Sequence, residues 1–210
     1  DHYVGVIKGV ISTIAPNTTV VDVCHELPLY GVSEAAFTVA QSYRYFPAGT
    51  IHLVVVDPEV GSSRKILLVE VADHRFVAPD NGVLSQVFEG AVHPKVWTVD
   101  THCFALEPVS QTFHGRDIFA PIAAHAANGK PSSEFGVPFA HSVRLPPTSP
   151  KEIRSRHWRG VILAVDHFGN IVTSFPISML PTGGESFLLR ARKVEVISSV
   201  RTYHQGSKDK

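Results

Sequence analysis

The stretch Ile51-His52-Leu53-Val54-Val55-Val56 is the most hydrophobic run in the chain, and Asp57-Pro58 ends it abruptly. An apolar, β-branched run this short predicts a buried central strand. Pro58 has no N–H for a ladder and drives the residue before it out of the helical region, so the strand stops at Asp57. Reading outward, strands alternate with helical stretches, the pattern of an α/β domain with a mostly parallel sheet. Upstream, Val6, Val10 and Ile14 share one face of a helix predicted over residues 4–14. A β-branched strand follows over residues 19–23, after the Pro16-Asn17 turn. A second helix over residues 33–45 carries Glu34 near its start and an apolar stripe at Ala36, Val39, Ala40 and Tyr43. Downstream, residues 65–71 and 76–78 continue the sheet, and Asp80-Asn81-Gly82 supplies a turn whose glycine tolerates positive φ. Residues 116–127 form the clearest helix, with Asp117 in its first turn and Asn128-Gly129 where a left-handed C-cap belongs.

The proline-dense segment Pro146-Pro147-Thr148-Ser149-Pro150 marks a domain boundary. An N-terminal α/β domain over residues 1–150 is expected, followed by a smaller β domain over 151–210. The latter has short strands at 160–165, 171–174, 186–190 and 194–197. The chain has 210 residues, 44% of them hydrophobic and 18% charged, so it can bury a core without covalent staples. Nineteen basic and nineteen acidic side chains give no net charge, which removes the electrostatic footprint of a nucleic-acid binder. No apolar run approaches the length of a membrane span, and no signal-peptide pattern opens the chain. Cys24 and Cys103 stand far apart without a CxxC pair. A soluble protein of a reducing, cytoplasmic compartment is expected.

Ligands of open α/β sheets bind beyond the carboxyl ends of the strands, which directs attention to Asp57. Arg64 lies seven positions on in the same loop, close enough to fold back on it. Taken alone the pair reads first as a turn aspartate capping backbone N–H groups beside a solvated arginine, and its place after the strand weighs against that. His114, in Phe113-His114-Gly115-Arg116-Asp117, sits at a helix start where outward N–H groups favour an electron-rich ligand group. Most of the other eleven histidines, among them His2, His74, His93, His125 and His204, read as surface or structural residues. In the second domain Asp166-His167-Phe168-Gly169-Asn170 joins two strands. It is either a ligand-facing loop or a β-turn with Phe168 folded into the core. A metal site built from His52, Asp57, Asn81 and His114 lacks any spacing that sets two ligands on one face. Cys24-His25 are consecutive strand residues and so point to opposite sides, and Gly183-Gly184 is too short for a phosphate cradle.

In order along the chain come YVGVIKGVI, VVDVCHELP, FPAGTIHLVVVDPEVGSSRK, FVAPDNGVLS, TFHGRDIFAPIAAHAANG and VDHFGNIVTS. This series resembles the S-adenosyl-L-methionine (SAM) hydrolases that form adenosine, the SAM hydroxide adenosyltransferase family, over nearly the whole chain. The family is related to the SAM-dependent fluorinases and chlorinases. The resemblance implies an N-terminal α/β domain and a smaller C-terminal β-barrel, assembled as a homotrimer with sites between subunits. It also implies a catalytic Asp57, Arg64 and His114 that activate water for attack at C5′ of the SAM ribose, with Asp57 orienting, Arg64 stabilising and His114 as base. A single hydroxide held by Arg64 and His114 is an equal description. Phe113, Gly115, Asp166, Phe168 and Asn170 fall at positions that contact the substrate in the family. No cofactor is implied, SAM being the substrate, and no nucleic-acid or membrane partner.

Family members usually begin with a strand and a ribose-gripping aspartate ahead of the segment at which this sequence opens. They continue past the Thr202-Tyr203-His204 segment into strands that complete the barrel, so a partial barrel is expected here. Two alternatives accompany hydrolysis: a SAM- or adenosine-binding protein without turnover, and a halogenase-like enzyme.

Overall fold

The structure, a computed structural model, describes residues 2–180, 187–191 and 193–197. The chain divides into two compact units, Asp1–Pro147 and Thr148–Lys210. Helices α1 (Tyr3–Ile14) and α2 (Val32–Ser42) open the first unit, and a 3₁₀ turn at Tyr43–Tyr45 extends α2. Strands β1 (Ile51–Leu53), β2 (Ile66–Val71) and β3 (His74–Pro79) follow, then the short α3 (Ser85–Glu89) and β4 (Lys95–Val99). A single π turn, Gly115–Phe119, leads into α4 (Ala120–Ala127), and β5 (Gly136–Pro138) ends the sheet.

The five strands pair in the order β1-β3-β2-β4-β5. The expectation of a mostly parallel sheet is corrected here. Only β1 and β3 run parallel, whereas β2–β3, β2–β4 and β4–β5 are antiparallel. The reason is the two-residue link Ala72-Asp73 between β2 and β3, which permits only a hairpin, since a parallel return needs a crossover of a dozen residues or so. Burial on both faces of β2 and β3 does agree with the apolar texture. Leu67, Val69, Phe76 and Ala78 pack towards α2 and α3 with Val83, Val87 and Phe88. On the other face, Ile66, Leu68 and Val77 pack with Phe119, Ile122 and Phe135. Helix α1 leans on α4 through Ile11, Ala15, Ala120 and Ala124.

Two local expectations change. Residues 19–23 make no strand pairing among the described residues, and Val21 and Val23 are exposed. Apolar β-branched composition supplies strand propensity but no partner. The run expected as a buried central strand instead forms β1 at the edge of the sheet, half-buried and paired with β3 alone among the described residues. It is also shorter than its apolar run: after Leu53 one further bond, Val54 N–H to the Val77 carbonyl (2.9 Å), holds it to β3 before the chain leaves the sheet. Asp57 is thereby carried beyond the sheet edge. Gly129 closes α4 at φ 87°, as its C-cap position predicts.

The second unit contains β6 (Lys151–Arg154), β7 (His157–Arg159), β8 (Ile162–Val165), β9 (Ile171–Thr173), β10 (Leu189–Ala191) and β11 (Val194–Val196). They pair as three separate antiparallel ladders, β6–β7, β8–β9 and β10–β11. Among the described residues these ladders do not close into a barrel. Ser186, Gly183-Gly184, His204 and the Thr202-Tyr203-His204 segment lie outside the described residues.

Candidate functional site

Beyond β1 the chain has to turn back within a few residues. Asn81 holds the exit by donating its amide to the Val56 carbonyl (2.8 Å), while its own Oδ1 accepts from Val83 N–H (3.2 Å). Two tight turns follow, Val60 N–H to the Asp57 carbonyl and Ser62 N–H to the Glu59 carbonyl. Gly61 lies within the second at φ 84°, and a Cβ there would stand 2.9 Å from the Gln111 carbonyl. Only glycine meets both conditions without strain.

The turns return Arg64 to Asp57. Arg64 Nε donates to Asp57 Oδ2 (2.6 Å), and Nη2 contacts the same oxygen. Both side chains are only 5% exposed, so the ion pair is effectively dry. Arg64 Nη2 also lies 3.0 Å from His114 Nδ1, and its guanidinium rests over the buried Phe119 ring. Asp57, Arg64 and His114, chosen from the sequence, are thus in contact in one chain of hydrogen bonds. Asp57 Oδ1 is buried and has no hydrogen-bond partner among the described residues. A buried acceptor left unmet costs about 1–3 kcal/mol, so this oxygen stands ready for a donor.

Arginine can only donate, so His114 Nδ1 must be the accepting, unprotonated nitrogen, and the neutral ring carries its proton on Nε2. Burial, and then the charge of Arg64, push the His114 pKa below the usual histidine value. The carboxylates of Asp57 and Asp117 oppose that shift without reversing it. Around neutral pH the imidazole is uncharged.

The π turn presents His114 at the N-terminal end of α4. Extra-residue turns of this kind redirect side chains and are frequent at functional sites, but no period in the sequence announces one. Phe113, beside it, packs edge-on to Tyr3 (4.7 Å between ring centroids) and lies under the Arg116 guanidinium (4.8 Å). Gly115 is buried, and a Cβ on it would meet Ile7 at 3.1 Å and Val55 at 3.4 Å. It lets α1 approach the turn closely.

In the second unit Asp166, Phe168 and Asn170 form one compact turn between β8 and β9. Asp166 Oδ1 accepts from the N–H groups of Phe168 (2.9 Å) and Asn170 (2.8 Å), and Oδ2 accepts from the Asn170 amide (2.6 Å). These bonds, the Asn170 amide foremost, hold the Asp166 carboxyl below the usual range. Gly169 takes φ 86° at the tip. The alternative that Phe168 folds into a core is overturned, since the residue is 85% exposed.

Two contributors were missed by sequence reasoning. Asn81 appeared as a turn residue of Asp80-Asn81-Gly82 and in a discounted metal site, not as the residue that holds the strand exit. Asp117 appeared only as a helix-start acid, but its residue is 2% exposed and its carboxylate is clamped by Arg116. An open cavity of about 590 Å³ borders the 59–65 loop, where Lys65 stacks on Phe139 (3.9 Å). Of the three clustered residues only Arg64 lines it. Among the described residues no group of three or more His, Cys, Asp or Glu is placed to hold a metal ion, and no helix is long and apolar enough to cross a membrane.

Residues 1–136 match the SAM hydroxide adenosyltransferase N-terminal domain. An (R)-S-adenosyl-L-methionine hydrolase of Salinispora tropica is 36% identical, covering 98% of this chain and 77% of the relative. The enzyme of the same name from Thermus thermophilus is 34% identical, covering 88% and 72%. A fluorinase of Actinopolyspora mzabensis is more distant, at 27% identity over 89% of this chain and 71% of the relative. Among solved structures, an uncharacterized conserved protein from Thermotoga maritima superimposes with a TM-score of 0.85 at 35% identity, covering 95% of this chain and 78% of that one.

Proposed function

The chain belongs to the SAM hydroxide adenosyltransferase family, and from that premise we propose that it hydrolyses SAM to adenosine and L-methionine at the Asp57–Arg64–His114 cluster. The observation that carries the reading is the dry Asp57–Arg64 pair, bonded to His114 and holding one unmet acceptor, Asp57 Oδ1.

Displacement at C5′ needs little from the enzyme at sulfur. The C5′–S bond breaks with its electron pair going to sulfur, and the sulfonium becomes the neutral thioether of methionine, so no general acid is required there. The difficulty is water, a weak nucleophile at neutral pH. A water donating one O–H to Asp57 Oδ1 has its oxygen lone pair freed for C5′, and the Asp57 carboxylate takes that proton as the C–O bond forms. Arg64, permanently charged, lowers the cost of negative charge gathering on the oxygen. His114 fits a different part from the base expected of it. Its Nδ1 already accepts from Arg64, so its neutral imidazole orients the guanidinium.

The family relation supports several further proposals. SAM is held by Phe113 and Gly115 together with Asp166, Phe168 and Asn170 of the second domain. The domains span 1–150 and 151–210, the latter belonging to a barrel, and copies associate as a homotrimer with sites between subunits. No cofactor is needed beyond the substrate, and the setting is cytoplasmic. Chromatography of a SAM incubation tests the central reading. Adenosine and methionine should appear together, at a rate reduced about 100-fold or more in Asp57→Asn. Failure to form adenosine, or an unchanged rate in the variant, would refute it.

A further inference from the structure

We propose that Asp117 is a positioning residue for His114: its carboxylate and its carbonyl fix the 106–113 loop that leads directly into His114, and so hold the imidazole facing Arg64. The proposal rests on the SAM-hydrolysis reading of the cluster.

Asp117 grips the loop at two points. Its carbonyl accepts from Leu106 N–H (2.8 Å), and its Oδ2 accepts from Ser110 N–H (2.8 Å). Arg116 closes the carboxylate from the other side, Nε to Oδ1 (2.5 Å) and Nη2 to Oδ2 (2.8 Å). The opposite side of the loop meets the Arg64-bearing turn at Gln111 and Gly61, where there is no room for a Cβ. A segment pinned at 106 and 110 and stopped at 111 has little freedom to shift.

His114 follows directly on that segment. The N–H groups of Arg116 and Asp117 both donate to the Phe113 carbonyl (3.2 Å each), so the clamp reaches the residue before His114, whose Nδ1 lies 3.0 Å from Arg64 Nη2. The imidazole is thus set between the pinned loop and the Asp57–Arg64 pair. A helix-start acid acting only on the helix dipole works from solvent and has no need of burial or of a loop N–H. The charged groups acting on His114 are Arg64 and Asp57 from the loop after β1 and Asp117 from its own element, while α1 presents the apolar Ile7 to the turn.

The test follows the His114 ring by NMR through a pH titration of the substrate-free protein, native and as Asp117→Asn and Arg116→Gln, alongside SAM kinetics. Asp117→Asn removes a negative charge and leaves Arg116 unpaired, so the His114 midpoint should fall below the native one. Arg116→Gln leaves the carboxylate unneutralised, so the midpoint should rise. Asp117→Asn should also lower kcat about tenfold or more with KM little changed, as displacement of an orienting group does. A pair that only held the fold together would loosen it in both variants and move the midpoint the same way, towards exposed histidine. That result, or no movement in either variant, overturns the proposal, as does failure of both variants to fold. If the native chain forms no adenosine while the midpoints move in opposite directions, the hydrolase reading falls and the positioning of His114 stands.

Discussion

At Asp57 a carboxylate and a guanidinium share a space nearly closed to water, and each tolerates burial because of the other. Breaking such a pair by removing one partner strands a buried charge and costs about 3–5 kcal/mol. Asp57→Ala should therefore lower unfolding stability by about 3–5 kcal/mol in a urea titration, as well as removing activity. His114 carries a pH prediction. Its Nδ1 accepts from Arg64 only while neutral, and protonation would set two cations against each other. Because burial and Arg64 lower its pKa, kcat should be fully developed at neutral pH and should fall only below the usual histidine midpoint of 6.5. A pH–rate profile with its acid limb at or above 6.5 would contradict this. The pairing of Asp57 with Arg64 was legible as seven residues of one loop. The orientation of His114 was not, because which ring nitrogen meets Arg64 depends on residues 50 positions away.

Strand β1 and the start of β3 bring together two histidines that the mechanism does not use, His52 half-buried and His74 buried. His52 Nε2 lies 3.2 Å from His74 Nδ1, and His52 stacks on Phe76. Burial, and then His74, lower the His52 pKa from 6.5 to about 4. Between those values the unfolded chain binds a proton that the folded chain refuses, so stability is complete above pH 6.5 and drains away as pH falls towards 4. Because His52 is partly solvated, the loss should be only about 1–2 kcal/mol. Urea titrations across this range should show that slope in the native protein and a flatter one in His52→Phe, which keeps the stacking. Gly61→Ala is expected to cost about 1–3 kcal/mol through its positive φ and to reduce kcat by displacing Arg64, measured by the same two assays. Helices were the legible elements, since three-four spacing survives any tertiary arrangement. Strand direction was hidden in loop length: Ala72-Asp73 allows a hairpin and nothing else, a sharper signal than apolar texture.

In the whole molecule, an α/β unit clusters Asp57, Arg64 and His114, and family membership points to the substrate. Geometry alone marks a dry, anion-tolerant site with one unmet acceptor; SAM enters through the relatives. A fluorinase among the relatives makes halide the nucleophile to test against water, and on the proposed mechanism, in which Asp57 takes a proton from the attacker, water is used. Saturating chloride should therefore leave the adenosine rate unchanged and yield no 5′-chloro-5′-deoxyadenosine by chromatography. The most direct test is hydrolysis of SAM in ¹⁸O-labelled water, with mass spectrometry of both products. Attack by water at C5′ predicts adenosine carrying the label in its 5′-hydroxyl and methionine without it. Unlabelled adenosine, or cleavage that yields methylthioadenosine instead, would contradict the account.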